Sequence, residues 1–159
     1  MPRTILLAAA LSAFSAVAAD KYTGPKPPKP DLPYLLHGSN LVPTESKEAK
    51  EERKGDETVY TIAGATSSAK TPLPEPRFIL DAQTVAPEHM ELFKVDVRDN
   101  LREVTLTAKR KKGGAQPLHL TVFPLAGKLY RVEAAEELDE GEYCLSPSES
   151  NRVFCFAVY

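Results

Sequence analysis

The last nineteen residues, Gly141 to Tyr159, constrain the chain more than any other stretch. Two runs rich in aromatic and β-branched residues flank the segment Ser146-Pro-Ser-Glu-Ser-Asn151, which is made of turn formers. The pattern predicts a hairpin of two short strands. If Cys144 stands opposite Cys155, then Tyr143 faces Phe156 and Leu145 faces Phe154. Side chains alternate between the two faces of a strand, so these four share one apolar face and both cysteines lie on the other. An apolar face of this size needs a second layer to cover it.

Cys144 and Cys155 are the chain's two cysteines. In an oxidising compartment they can pair across a short loop, stabilising the fold by about 2–3 kcal/mol. The register that aligns them also builds the aromatic face, which favours the bond; two separate buried thiols are the alternative.

The other end of the chain predicts such a compartment. Residues 1–19 read as a secretory leader: Arg3 gives a basic start, Ile5 to Ala19 is apolar, and Val17-Ala18-Ala19 forms a small-residue cleavage site before Asp20. The apolar run is about 15 residues, short of the roughly 20 that a spanning helix needs. The leader has no cysteine to carry a lipid. We therefore expect a secreted or periplasmic protein cut after Ala19, with no transmembrane helix. Removing the leader takes one base and no acid from 20 Lys+Arg and 22 Asp+Glu, leaving a net charge of −3. That balance gives no reason to expect nucleic acid as a partner.

Residues 20–33 read as an extended tail. Pro25, Pro27, Pro28, Pro30 and Pro33 are interleaved with Lys26 and Lys29, a composition that favours mobile polyproline II. It serves either as a docking peptide or spacer, or as a plain unstructured terminus. Residues 34–159 form the folded domain. Within it, residues 45–57 hold six acids and four bases with Ala49 as the sole apolar residue. A helix there would have nothing to bury, while a charged edge strand turning at Lys54-Gly55-Asp56 fits as well. We lean to the strand.

From Thr58 the pattern is β. Thr58 to Ala63 and Arg77 to Asp81 are strand-like. Phe93, Val95 and Val97 alternate with polar residues, and so do Val104, Leu106 and Ala108, around turn chemistry at Asp99-Asn100. Leu118, Leu120 and Val122 form the next inward row, and Leu129 to Glu133 returns. The sum is about eight short strands, so the expected fold class is all-β, a single antiparallel β-sandwich. Tyr143, just after the Gly141 corner, resembles the tyrosine corner of immunoglobulin-like sandwiches, in which the hydroxyl bonds upstream backbone. The immunoglobulin cysteine would fall at Leu145 rather than Cys144, and the chain has no Trp for the core.

Ile62-Ala-Gly64, Pro76-Arg-Phe78, Glu91-Leu-Phe-Lys94, Arg102-Glu103, Gly141-Glu-Tyr143 and Phe154-Cys-Phe156 together resemble uncharacterised secreted bacterial β-rich proteins with an immunoglobulin-like sandwich. The likeness covers most of residues 58–159. It implies an extracytoplasmic, bacterial protein and brings no activity and no functional residue with it.

Catalytic signals are sparse. His37, His89 and His119 are present, but there is no Gly-x-Ser-x-Gly elbow to suggest a nucleophile. Asp139-Glu140-x-Glu142 lacks the spacing of a Ca²⁺ loop and reads as an acidic turn. No phosphate-cradling glycine loop exists, and no cofactor is expected. The most localised charge is Lys109-Arg110-Lys111-Lys112, which could meet anionic glycan, lipopolysaccharide or lipid headgroups, or simply be a soluble hairpin tip. The sequence thus points to a non-catalytic structural or interaction module whose partner is an unknown protein or an envelope polysaccharide. The alternatives are anion binding through Lys109 to Lys112, a small secreted hydrolase, or a small outer-membrane barrel. The barrel is suggested by terminal Tyr159 and the alternation of Val153, Cys155 and Ala157, but spanning strands need about 9–11 residues.

Overall fold

Alternation of apolar and polar residues, broken by Gly, Pro and Asx turns, produces thirteen strands and one turn of 3₁₀ helix, Pro87–His89, among the described residues. The computed structural model describes residues 21–108 and 114–159. The leader and the basic loop Lys109 to Lys112 lie outside the described residues. The strands are β1 (Tyr34–His37), β2 (Asn40–Pro43), β3 (Glu45–Glu48), β4 (Lys50–Lys54), β5 (Glu57–Ala63), β6 (Lys70–Thr71) and β7 (Arg77–Asp81). They continue as β8 (Glu91–Arg98), β9 (Leu101–Thr107), β10 (Leu120–Ala126), β11 (Leu129–Ala134), β12 (Gly141–Ser146) and β13 (Arg152–Val158). No described helix is long and apolar enough to cross a membrane.

The fold is all-β with antiparallel sheets. One sheet has the order β10-β11-β7-β1-β2; the other runs β3-β13-β12-β8-β9-β5-β4, with β6 joining β13 in the one parallel pairing described. The strand count exceeds the eight expected. The extra strands are short, and most carry polar residues, so they show no alternation to read: β2 follows a turn at Gly38 (φ +62°), residues 45–57 divide at Ala49 into β3 and β4, and β6 sits in a Ser/Thr-rich loop. Residues 45–57 are strand on both sides of that division and turn back at Gly55 (φ +64°). Asp99 and Asn100 both take positive φ (48° and 60°), the conformation of a two-residue turn whose twist matches the strands it joins.

β3 and β4 adjoin in sequence yet stand at opposite ends of the larger sheet's path: β3 pairs with β13, and β4 with β5. The sheet therefore curls into a half-barrel, and Ala49 is the joint. Its backbone N–H donates to the Asn151 carbonyl at 2.8 Å. The curl buries β12 and β13 on both faces. On one side Tyr143, Leu145, Phe154 and Phe156 join Phe78, Leu80, Leu35 and Val132 in the core shared with the five-stranded sheet. On the other, Cys144 and Cys155 join Ala49, Ile62, Val95 and Val153 in a second core inside the curl.

The hairpin register is the one alternation predicts, Cys144 opposite Cys155, Tyr143 opposite Phe156 and Leu145 opposite Phe154, and the two cysteines form a disulfide. Replacing both by alanine is expected to lower stability by about 3 kcal/mol, the entropy the short cross-link removes from the unfolded chain. Urea unfolding of oxidised wild type beside the double variant checks this. A difference below about 1 kcal/mol would mean that the bond adds nothing beyond packing.

The residues preceding β1 are tied to the five-stranded sheet. The Asp31 carboxylate accepts hydrogen bonds from the backbone N–H groups of Gln83, Thr84 and Val85 and from the Thr84 hydroxyl. Burial pushes its pKa up, but those bonds outweigh burial and hold it below the usual carboxylate value. Leu32 and Pro33 are buried, and the Thr44 hydroxyl donates to the Pro33 carbonyl at 2.7 Å.

Candidate functional site

The inside of the curl changes character along its length. Period-two alternation sends Ile62 and Tyr60 from β5, Val95 and Phe93 from β8, Val104 and Leu106 from β9, and Val153 from β13 to the same interior. Where β8 and β9 diverge, Leu118 bridges to Leu92 and the Ala115 N–H donates to the Thr105 carbonyl, bringing residues 115–118 alongside both strands. The diverging end leaves a cavity of about 380 Å³. Its walls are those apolar side chains together with Ala49 and Cys144. Its polar lining is Glu51, Arg53, Glu91 and the turn Ser146 to Asn151. The turn is steadied by the Ser148 hydroxyl, which donates to the His89 carbonyl at 2.6 Å.

The opposite end is closed by charge. Arg102 is 0 % exposed and lies in the inward phase of β9, two residues before Val104. Its guanidinium donates to the Gly64 carbonyl (2.8 Å), the Ala63 carbonyl (2.9 Å), the Ser67 hydroxyl (2.6 Å) and Glu45 Oε1 (2.6 Å). It thereby joins β3 to the end of β5. Glu142 Oε2 stands 3.8 Å from Arg102 Nη1 and accepts from the Ser67 hydroxyl at 2.5 Å and from the Ser67 N–H at 3.0 Å. Burial raises the Glu45 pKa, but hydrogen bonds from Arg102 and the Ser68 N–H, with the Arg102 charge, bring it below the usual value. Every side-chain polar atom of this cluster has a hydrogen-bond partner.

Sequence reasoning took Asp139 to Glu142 as an acidic turn, whereas Glu142 is buried in this ion cluster. The available signal was Arg102, an arginine in phase with the inward row Val104 and Leu106, which implies a buried carboxylate partner.

The remaining candidates lie apart from the cavity or outside the described residues. Tyr143 is buried, its hydroxyl donates to the Asp139 carbonyl at 2.9 Å, and its ring stacks on Phe156 at 5.7 Å. Burial first, then opposed by Lys94, leaves its pKa raised. Lys109 to Lys112 lie outside the described residues; on either side of them the Ala108 N–H donates to the Asp56 carbonyl and the Ala115 N–H to the Thr105 carbonyl, beside Leu106 at the open end of the curl. His37 Nε2 lies 3.0 Å from the Thr71 hydroxyl, and the His119 carbonyl accepts from Ala135. Among the described residues, no three His, Cys, Asp or Glu side chains gather as a metal site. No protein family, curated protein or solved structure matches the chain.

Proposed function

We propose that this is an extracytoplasmic, non-catalytic binding module that receives an apolar group at the open end of the curled sheet. The observation that carries this reading is the cavity of about 380 Å³, lined by Ile62, Phe93, Val95, Val104, Leu106 and Val153 together with the polar residues Glu51, Arg53, Tyr60 and Glu91. It falls in the size range of small-ligand sites, and a few polar groups around an apolar pocket are what such sites use to orient a guest. The leader read at residues 1–19 and the disulfide support a place outside the cytoplasm. We read the two layers as a sandwich, immunoglobulin-like at its Tyr143 corner.

The test is titration of the mature, oxidised protein with an environment-sensitive apolar dye; the chain has no Trp to complicate the signal. We expect saturable binding at one site, weakened at least tenfold by Leu106→Arg at the opening. Absence of saturable binding by the folded protein would defeat the reading.

The position of the loop flanks favours a second reading, contact with an anionic surface through Lys109, Arg110, Lys111 and Lys112. Four like charges would give weak attraction that is lost at physiological salt. An anionic polymer titrated at low and physiological ionic strength decides it, and attraction that ignores salt rules it out.

A further inference from the structure

We infer that residues 21–30 are a strap that lifts as one unit from the outer face of the smaller sheet, and that its closed position hides an apolar strip there.

The strip follows from alternation along β7 and β11. Phe78 and Leu80 point into the core shared by the two sheets, so Ile79 between them points the other way. Arg131 stands opposite Ile79, and Leu129 stands opposite Asp81, which puts Leu129 on that same outer face. Ile79 is 1 % exposed and Leu129 is 8 % exposed, yet neither belongs to the shared core. The outer face of a two-layer fold ordinarily meets water, so these two side chains have a cover of their own.

The chain ahead of β1 is placed to supply it. Lys26 and Pro27 line one groove with Leu129, Lys128 and Ala126, beside the turn from β10 to β11. Tyr22 lies near enough to Arg131 for that charge to act on its hydroxyl, although burial wins and raises the Tyr22 pKa. The Asp31 N–H donates to the Asp81 carbonyl at 2.8 Å, at the end of β7. The segment therefore runs from Arg131 past Leu129 to Asp81. Tyr22, Gly24, Pro25 and Pro27 are half-buried along it, while Lys26 and Lys29 are exposed.

This cover is tied at one end. The Asp31 carboxylate accepts four hydrogen bonds, and its backbone takes a φ of +55°, which fixes the chain from there onward. Among the described residues, the hydrogen bond within 21–30 is internal, from the Tyr22 hydroxyl to the Pro25 carbonyl at 2.9 Å, and none joins this segment to the sheet. Pro25, Pro27, Pro28 and Pro30 have no N–H to offer. A segment held by side-chain packing alone opens more readily than the hydrogen-bonded sheet beneath it. Lifting it uncovers Ile79 and Leu129 and leaves the domain folded, so the outer face has a covered and an apolar state.

Thiol labelling tests this on the mature, oxidised chain, whose own two cysteines are bonded. Ile79→Cys places a thiol beneath the strap, and Val132→Cys places one on the core face of the same sheet. Melting transitions show that each variant folds; Leu129→Cys reports on the same strip if Ile79→Cys does not. Labelling at position 79 should be at least about tenfold slower than in the unfolded chain and at least about tenfold faster than at position 132. Adding Tyr22→Ala loosens the strap and should speed labelling about fivefold at position 79, with less than about a twofold change at position 132. Adding Phe156→Leu weakens the core and should do the reverse, about tenfold at position 132 and under about twofold at position 79. If both positions respond alike to either added substitution, the strap opens only with the domain and the inference falls. It falls also if position 79 reacts as fast as an unfolded chain, because the strap then covers nothing.

Discussion

Arg102→Met is expected to cost about 3–5 kcal/mol of folding stability, because it leaves two carboxylates inside the protein without their cation. Glu45 and Glu142 both face Arg102, and the side chain of each is largely withdrawn from water. The variant also unties β3 from the end of β5, since the guanidinium bonds the carbonyls of Ala63 and Gly64 as well as Glu45. Removing the charges together should be far milder than removing the cation alone: Arg102→Met combined with Glu45→Gln and Glu142→Leu should recover most of the loss. Denaturant unfolding of the three proteins separates an ion cluster from simple packing. If the single variant lost less than about 1 kcal/mol, the cluster would have to be open to water.

The same cluster gives a pH dependence of definite sign. The folded-state pKa of Glu45 is depressed, so its contribution is complete above the ordinary glutamate value of 4.5 and disappears as the pH falls through the lower folded value. Wild type should therefore lose stability on the acid side of 4.5 more steeply than Arg102→Met, in which Glu45 has lost its main partner.

Phe156→Ala should be comparably damaging, about 3–5 kcal/mol. Phe156 is completely buried, meets Phe78 edge-on at 5.1 Å and stacks on Tyr143 at 5.7 Å. Phe78 belongs to β7 of the five-stranded sheet, so this one ring joins the two layers. Truncation removes the ring and leaves a void that close-packed neighbours cannot fill. Equilibrium unfolding measures the effect, with Val97→Ala as a control expected within about 0.5 kcal/mol, since Val97 is 48 % exposed. A loss under about 1.5 kcal/mol for Phe156→Ala would mean that the layers are held mainly elsewhere.

What could be read from the residues was local. Pairing Tyr143 with Phe156 and Cys144 with Cys155 needs only period-two alternation and a turn. Asp99-Asn100 announces its own hairpin, and both readings reach across few residues. What could not be read is where strands go once formed. Residues 45–57 carry no alternation because each half borders a different strand, β13 or β5, at opposite ends of one sheet. The cavity was invisible for the same reason: its walls come from strands spread between Ala49 and Val153, and the space between them belongs to no single stretch. The ion cluster lies between these cases. Arg102 sat in an inward position in plain view, but its partners Glu45 and Glu142 are 57 and 40 residues away in sequence.

A sheet lengthens into a fibre by offering unpaired N–H and C=O groups to another molecule. Here both margins of the larger sheet fall on β3 and β4, which adjoin at Ala49 and carry charged residues that resist pairing, Lys47, Lys50, Arg53 and Lys54 among them. The margins of the smaller sheet are β2 and β10, and Pro43 and Pro124 interrupt the row of donors on each. The fold thus leaves little for strand-by-strand growth to begin on.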